Sequence, residues 1–268
     1  MDIQDKVFVI TGAGNGIARE VALQLLAAGA SVAGVDRSAE GLAETARLGR
    51  AGERFSSHVV DITDRDAVEA LPGAVASVHG QVDGIVNIAG VIQKFVKVVD
   101  LPFSEIEKVM NVNFWGVMNM CKAFLPTLMA RPAASIVNIA SMGSYAPVPG
   151  QAVYGASKAA VKLLTEALYA ELRDTNVAVT VVFPGAIATG IAANSGVSLG
   201  GAAAATAEAP AYKTTSPQKA AEVIVDAIRK GRYRATIGSD AAAMDRLSRL
   251  NPKMATTIIA KQMSGLLN

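Results

Sequence analysis

The sequence predicts an α/β fold: a single doubly wound domain with a mostly parallel, seven-stranded sheet and helices on both of its faces. Short runs rich in β-branched residues alternate with longer segments of helical periodicity, as in repeated β-α-β units. Several runs, such as SIVNIA and VAVTVVF, are apolar on both faces, which is typical of strands covered from both sides. A glycine-rich turn joins the first run to the first helical segment.

The elements follow one another along the whole chain. The predicted strands are residues 7–10, 31–35, 55–60, 84–87, 135–140, 177–183 and 235–237. Between them, helical patterns cover residues 17–28, 64–78, 104–130, 154–174 and 217–230. We find no repeat at the spacing of solenoid proteins. Residues 1–268 are therefore predicted to form one domain.

Two segments stand out from the regular alternation. Residues 186–215 are expected to form a substrate loop, and their Gly/Ala-rich part, 192–210, favours a mobile lid. Residues 239–268 are expected to form a C-terminal helical extension with apolar residues at roughly helical spacing. That spacing leaves open whether the extension packs in the core, completes the substrate pocket, or contacts another subunit or a membrane surface.

The composition excludes several classes of function. With 51% hydrophobic and 18% charged residues, the chain can bury a large core, and its net charge of +2 is not gathered into a nucleic-acid-binding stripe. No apolar run reaches the ~18 residues of a membrane span, and the N-terminus does not resemble a secretory signal. Cys121 and the isolated His58 and His79 suggest no metal site. We expect a cytoplasmic protein without integral membrane segments.

The glycine-rich turn TGAGNGIA, residues 11–18, follows the first strand and opens the first helix. Glycines there let the backbone approach a pyrophosphate, and the helix N-terminus offers unpaired amides and positive potential. The turn therefore predicts a dinucleotide site. Its expected contact residues are Gly12, Gly14, Asn15, Gly16 and Ile17.

Asp36 ends the second strand, where a carboxylate can accept hydrogen bonds from the adenosine ribose hydroxyls. A 2′-phosphate would meet this carboxylate as a like charge, so the position favours NAD over NADP. Two alternatives stay open: Asp36 caps the following helix, or the neighbouring Arg37 accepts a phosphate.

Tyr154 and Lys158 form a Y-x-x-x-K pair whose spacing puts both side chains on one helix face. Hydride transfer to a carbonyl leaves an alkoxide that must be protonated, and a tyrosine can hold that proton. Lowering a tyrosine pKa by about 3 units requires roughly 4 kcal/mol. A lysine charge about 4 Å away supplies about that much, so we expect Lys158 to lower the Tyr154 pKa.

These motifs resemble those of the short-chain dehydrogenase/reductase family, in the family's order from residue 11 to residue 189. The glycine turn is similar to TGxxxGxG with Ala18 in the last glycine position, and NIAG, residues 87–90, is similar to NNAG. Further matches are Asn113 in NVNFWG, Ser141 after the fifth strand, the Y-x-x-x-K pair, and PGAIAT at residues 184–189. The neutral Asn15 again favours NAD, since NADP-preferring members often carry a basic residue in the turn.

The resemblance implies a Rossmann fold and a role for each matched residue. Tyr154 is the expected acid/base, Ser141 polarises the substrate oxygen, Lys158 bonds the nicotinamide ribose, and Asn113 holds a relay water. Ser144 and Asn111 are lower-ranked candidates. The remaining cofactor contacts implied are Asp61, Ile62, Asn87, Ala89, Gly90, Tyr154, Lys158, Pro184, Gly185, Ile187 and Thr189.

The expected function is an NAD(H)-dependent oxidoreductase acting on a mainly apolar secondary alcohol or ketone. Apolar residues after the fourth, fifth and sixth strands favour such a substrate. They are Phe95, Met142, Tyr145, Val148, Val153, Ile187, Ile191, Val197 and Leu199. The alternatives are an NADP-dependent carbonyl reductase and a catalytically silent, nucleotide-sensing relative. The apolar helices 104–130 and 154–174 suggest a homodimer or homotetramer.

Overall fold

A computed structural model describes residues 1–197 and 214–263 of the chain. Within these residues, seven strands form one sheet in the order β3-β2-β1-β4-β5-β6-β7, and each neighbouring pair is parallel. The predicted fold class is thus confirmed, and no strand begins or ends more than one residue from its predicted position. The strands are β1 Val7–Thr11, β2 Ser31–Asp36, β3 Phe55–Val59, β4 Gly84–Asn87, β5 Ala134–Ile139, β6 Val177–Pro184 and β7 Arg234–Ile237.

The sheet reverses its strand order between β1 and β4. β1 pairs with β2 on one side and with β4 on the other, in a register that sets Thr11 opposite Asn87. Such a switch point opens a crevice beyond the carboxyl ends of the strands, where α/β proteins bind their ligands.

Helices cover both faces of the sheet. Helices α1 and α8 pack together on one face, and α3, α5 and α6 lie over the apolar cluster on the other. The described helices are α1 Gly16–Ala27, α2 Ala39–Gly49, α3 Arg65–His79, α4 Phe103–Met110, α5 Gly116–Met129, α6 Ala152–Glu171, α7 Ile191–Asn194, α8 Pro217–Lys230, α9 Ser239–Leu250 and α10 Pro252–Gln262. None of them is long and apolar enough to cross a membrane.

The helix predicted over residues 104–130 is not continuous. A π-helical turn, Asn111–Trp115, separates α4 from α5. Asn113 lies in this turn and is fully buried, with its side chain bonded to the backbone of Val91. Local periodicity cannot reveal such a turn, because its side-chain partner lies on a distant loop.

The C-terminal extension packs over the loop that follows β5. Met244 of α9 and Ala255 and Ile259 of α10 form an apolar cluster with that loop. The loop contributes Met142, Tyr145, Ala146 and Val148. Packing against the chain itself therefore accounts for the buried face of the extension, while Leu250 and Met254 stay exposed.

Only part of the predicted substrate loop is described. Residues 198–213 lie outside the described part of the chain, and with them most of the predicted lid and Leu199. Before that gap, α7 follows β6, and a β-bridge joins Ile187 to Thr215 beyond it. The two ends of the loop therefore meet beside the sheet.

Candidate active site

A cleft of about 370 Å³ opens at the carboxyl ends of β1, β2 and β4. Many of the residues predicted to contact a dinucleotide line it: Gly12, Asn15, Gly16, Ile17, Asp36, Asp61, Ile62, Ala89, Gly90 and Thr189. Because these residues come from separate stretches of the sequence, the fold brings the predicted site together.

The glycine turn at the cleft has the geometry that a pyrophosphate requires. Gly12 has a φ of +77°, and a Cβ there would come within 3.1 Å of the Ala89 backbone. Asn15 occupies the N-cap position of α1 but makes no side-chain cap hydrogen bond. The Asn15 side chain thus leaves the first amides of α1 uncapped. Such amides at a helix N-terminus can bind an anionic group.

Asp36 holds the glycine turn from the end of β2. Its Oδ2 accepts a 2.9 Å hydrogen bond from the Gly14 amide, and its Oδ1 accepts one of 2.9 Å from the Ser38 amide. The hydroxyl of Ser38, and not Asp36, caps α2 by accepting from the Gly41 amide. The carboxylate therefore lies at the cleft without being the helix cap.

Arg37 and Asp61 face each other across the same end of the cleft. Arg37 Nη1 lies 3.6 Å from Asp61 Oδ2, and both residues line the cleft. Burial by itself raises the pKa of Asp61, but hydrogen bonds from Thr63 and the charge of Arg37 outweigh it and lower the pKa. Asp61 is thus held as a carboxylate near neutral pH.

Asn87 and Thr11 both make hydrogen bonds to neighbouring parts of the sheet and its loops. The Asn87 side chain is buried and donates a 2.8 Å hydrogen bond to Asn138 Oδ1 on the adjacent strand, outside the cleft lining. Thr11, which was not among the predicted contacts, accepts hydrogen bonds from the Ile88 and Ala89 amides. Thr11 therefore holds the loop after β4, which lines the cleft, while Asn87 links β4 to β5.

The segment after β6 is anchored from the C-terminal extension. Asp240, in the first turn of α9, accepts a 2.8 Å hydrogen bond from the Ala186 amide. Its carboxylate also fills the space next to the Gly185 Cα, where a side chain would collide with it. Pro184, Gly185 and Ile187 lie outside the cleft lining, whereas Thr189 is part of it.

Ser141 and Tyr154 meet beside the end of β5. Tyr154 belongs to the first turn of α6, and Ser141 precedes the short 3₁₀ turn Met142–Ser144. The Ser141 hydroxyl oxygen accepts a 3.0 Å hydrogen bond from the Gly143 amide. Burial raises the pKa of Tyr154, and a hydrogen bond with Ser141 acts in the opposite direction. The lower-ranked Ser144 donates its hydroxyl to the Ser141 carbonyl.

Lys158 lies one turn further along α6 and is 4% exposed. Its Nζ donates a 2.9 Å hydrogen bond to the Ile139 carbonyl oxygen. Burial lowers the pKa of Lys158 to about 8. The expected lowering of the Tyr154 pKa is not found: that pKa is raised, because burial outweighs the hydrogen bond with Ser141.

Asn113 is clamped onto the loop after β4. Its Oδ1 accepts from the Val91 amide at 2.8 Å, and its Nδ2 donates to the Val91 carbonyl at 2.9 Å and to Ser157 Oγ at 3.0 Å. The competing Asn111 is exposed. A Cβ on Gly90 would lie 3.2 Å from Asn113 Oδ1 and 3.3 Å from Lys158 Nζ. Both polar groups therefore adjoin the cleft at Gly90.

The arrangement of a glycine turn, a cleft and a Ser-Tyr-Lys group agrees with a comparison against protein families. The family model described as short chain dehydrogenase matches residues 6–198. The chain belongs to the short-chain dehydrogenase family. The resemblance found in the sequence motifs is thereby confirmed, and it extends through α7.

Individual members of the family cover nearly the whole chain. The Mycobacterium tuberculosis protein named oxidoreductase SadH is 40% identical over 252 residues, or 92% of this chain and 91% of that protein. A short-chain dehydrogenase/reductase from Burkholderia phymatum, solved with NAD, has a TM-score of 0.86 at 27% identity and covers 95% of this chain and 96% of its own. One from Burkholderia cenocepacia, solved with NADP, has a TM-score of 0.80 at 24% identity, with 97% and 99% covered.

These relatives make the protein an oxidoreductase of the short-chain dehydrogenase family, which uses nicotinamide cofactors. The two solved structures hold NAD and NADP respectively, so they do not distinguish between the cofactors for this chain.

One contact at the cleft, between α7 and the glycine turn, was not predicted from the sequence. Asn194 of α7 donates a 3.0 Å hydrogen bond to Asn15 Oδ1 and thereby ties the segment after β6 to the glycine turn. Both residues line the cleft. No periodic pattern marks Asn194 in the sequence, so only the folded chain identifies this contact.

Proposed function

We propose that this short-chain dehydrogenase is an NAD(H)-dependent enzyme that interconverts a mainly apolar secondary alcohol and its ketone. The observation that carries the proposal is that Gly90 lies between the cleft and the side chains of Lys158 and Asn113. Gly90 lines the cleft of the glycine turn, and Lys158 and Asn113 lie directly against it. Ser141 and Tyr154 are on the same helix-loop unit as Lys158, so a bound dinucleotide and a substrate oxygen would meet beside them.

A bound nicotinamide would supply the hydride acceptor for the alcohol and, in its reduced form, the hydride donor for the ketone. The chain provides the remaining steps. Ser141, which already hydrogen-bonds Tyr154, would donate to the substrate oxygen, and the Tyr154 hydroxyl would give or take the proton at that oxygen. Lys158, buried beside Gly90, would hold the ribose and stabilise a tyrosinate by its charge. Asn113 would order a water between Lys158 and solvent.

The preference for NAD rests on Asp36. Its carboxylate lines the cleft at the end of β2, where it would accept hydrogen bonds from ribose hydroxyls and repel a 2′-phosphate. NADP is the second candidate because Arg37 also lines the cleft. The pairing of Arg37 with Asp61 at 3.6 Å leaves its charge partly compensated, which supports NAD as the first candidate.

An apolar substrate is supported by the surroundings of Ser141. The residues that follow it, Met142, Tyr145 and Val148, pack with Met244 and Ile259 of the C-terminal helices. A pocket with apolar walls and a few polar groups is the usual composition of a small-molecule site. The charged loop residues Lys94 and Lys97 are exposed.

The test is reduction of NAD and of NADP across a panel of alkyl, alicyclic, polyhydroxylated and phosphorylated secondary alcohols. We expect the highest kcat/KM with NAD and an alkyl or alicyclic alcohol. A consistent preference for polar alcohols would reject the apolar pocket, and equal or higher efficiency with NADP would reject the cofactor assignment. Tight binding of NADH without turnover on any substrate would instead identify a nucleotide-sensing protein.

A further inference from the structure

Gln93 is fully buried in the loop that follows β4, and both ends of its amide are hydrogen-bonded. Its Oε1 accepts from the Val153 amide at 2.9 Å and from the Tyr154 amide at 3.0 Å. Its Nε2 donates to the Gly150 carbonyl at 3.0 Å. One side chain thus binds the first turn of α6 and the end of the loop that leads into it.

Helix α6 has no cap of its own. Gln151 occupies the N-cap position and makes no side-chain cap hydrogen bond. The side-chain amide of Gln151 instead donates to the Gln93 carbonyl at 2.7 Å. Since the first amides of a helix lack intrahelical acceptors, Gln93 supplies from a distant loop the acceptor that a local cap normally provides.

The loop that carries Gln93 also forms the cleft. Gly90 and Val91 line it, and Asn113 clamps both polar backbone groups of Val91. Ser195 accepts a 3.0 Å hydrogen bond from the next amide, that of Ile92. The three residues before Gln93 are therefore held in place beside the cleft. Gln93 connects them by hydrogen bonds to the backbone of Tyr154.

We propose that Gln93 is a positioning residue for Tyr154, setting the height of the acid/base hydroxyl relative to the cofactor cleft while adding no charge beside it. The proposal rests on the proposed function of Tyr154. A carboxylate cap is common at helix N-termini and would satisfy the same two amides. A negative charge here would also disfavour the tyrosinate, whereas the neutral amide leaves the helix N-terminus to stabilise it.

Gln93→Met keeps the length of the side chain and removes its acceptor and donor. We expect kcat to fall about ten- to a hundredfold, since small displacements of a catalytic group have effects of this size. KM for NAD should stay within about twofold, because the residues lining the cleft are unchanged. Ser216→Ala is the matched control: it deletes the side-chain cap of α8 at the Lys219 amide and should cost stability without changing kcat.

Gln93→Glu is the second variant and retains an acceptor for both amides. The two amide donors and the helix N-terminus favour the ionised carboxylate, against burial and the Gly150 carbonyl, and the alkaline end of the pH profile favours it further. We therefore expect the pH profile of kcat for alcohol oxidation to shift towards higher pH, because the new charge raises the pKa of Tyr154. A shift of this profile would show that a charge at position 93 acts on the Tyr154 hydroxyl.

The outcomes separate the inference from the proposed function. Tyr154→Phe is measured in parallel, and a variant that retains turnover would defeat the proposed function itself. If Tyr154→Phe is inactive, an unshifted pH profile in Gln93→Glu overturns the inferred need for a neutral side chain beside Tyr154. The positioning role is overturned if Gln93→Met folds and keeps the kcat of the parent enzyme.

Discussion

Lys158 Nζ donates a 2.9 Å hydrogen bond to the carbonyl oxygen of Ile139, the last residue of β5. Among residues 1–197 and 214–263, no carboxylate forms an ion pair with this buried amine, and the carbonyl oxygen is its acceptor. Burial lowers the pKa of Lys158 to about 8. In the cofactor-free protein, burying the charged form of Lys158 therefore destabilises the fold, although this residue is expected to promote proton transfer.

The first prediction concerns stability and pH. The pKa of Lys158 changes from 10.5 to about 8 on folding, so the unfolded chain binds more protons between these values. The resulting destabilisation, about 3 kcal/mol, is complete below pH 8 and disappears as the pH rises towards 10.5. Lys158→Met removes this dependence.

Denaturant unfolding of the cofactor-free protein and of Lys158→Met, from pH 7 to pH 10, measures the effect. We expect the free energy of unfolding of the parent, relative to the variant, to rise with pH over this range. Other titrating groups, such as Cys121 with its raised pKa of about 12, contribute equally to both proteins and cancel. Parallel pH curves for the two proteins would contradict the lowered Lys158 pKa.

The second prediction concerns the proton donor. Tyr154→Phe keeps the ring and removes the hydroxyl, so kcat should fall by about 10²- to 10⁴-fold while NADH affinity stays nearly the same. Tyr169→Phe on the same helix is the matched control, because Tyr169 is exposed and packs in a tilted arrangement against Tyr233, with a centroid distance of 4.5 Å. Steady-state kinetics and NADH fluorescence titration measure the two quantities. Comparable kcat losses in both variants would argue against a specific role of Tyr154.

The third prediction concerns cofactor choice. Asp36→Asn keeps the shape and one of the two acceptor oxygens that bond the Gly14 and Ser38 amides, and it removes the charge. Discrimination against NADP, as the ratio of kcat/KM values, should decrease by about tenfold or more, since a single screened charge repulsion is worth about 1 to 2 kcal/mol. Glu40→Gln removes an exposed acid from α2 and should leave the ratio unchanged. An unaltered ratio in Asp36→Asn would show that other residues select the cofactor.

The fourth prediction concerns assembly. Helices α5 and α6 leave large apolar side chains exposed, with Met129 at 49%, Leu163 at 67% and Tyr169 at 41%. Such a surface favours association, and we expect a homodimer or homotetramer at micromolar concentration. Leu163→Glu should lower the mass measured by light scattering, whereas Val78→Glu, at an exposed position of α3, should not. A monomeric mass for the parent protein would refute the prediction.

Local patterns in the sequence were sufficient to predict the strands of the sheet and to recognise the motifs. Alternation of β-branched runs and helical periodicity predicted every strand of the described sheet, because these patterns reflect burial within a few neighbouring residues. The glycine turn, Asp36, and the pair Tyr154 and Lys158 were recognisable for a similar reason: spacing along one turn or helix determines which groups share a side.

Contacts between distant parts of the chain were decided by the tertiary structure alone. His58 and His79 are far apart in the sequence, yet both imidazoles hydrogen-bond Ser56, because the fold sets the end of α3 beside β3. The capping of α6 by Gln93, which lies about 60 residues before it, arises in the same way. The sequence alone determined which residue types could serve a dinucleotide and a proton transfer. The raised Tyr154 pKa and the lowered Lys158 pKa depended on burial, which exists only once the strands and helices have assembled.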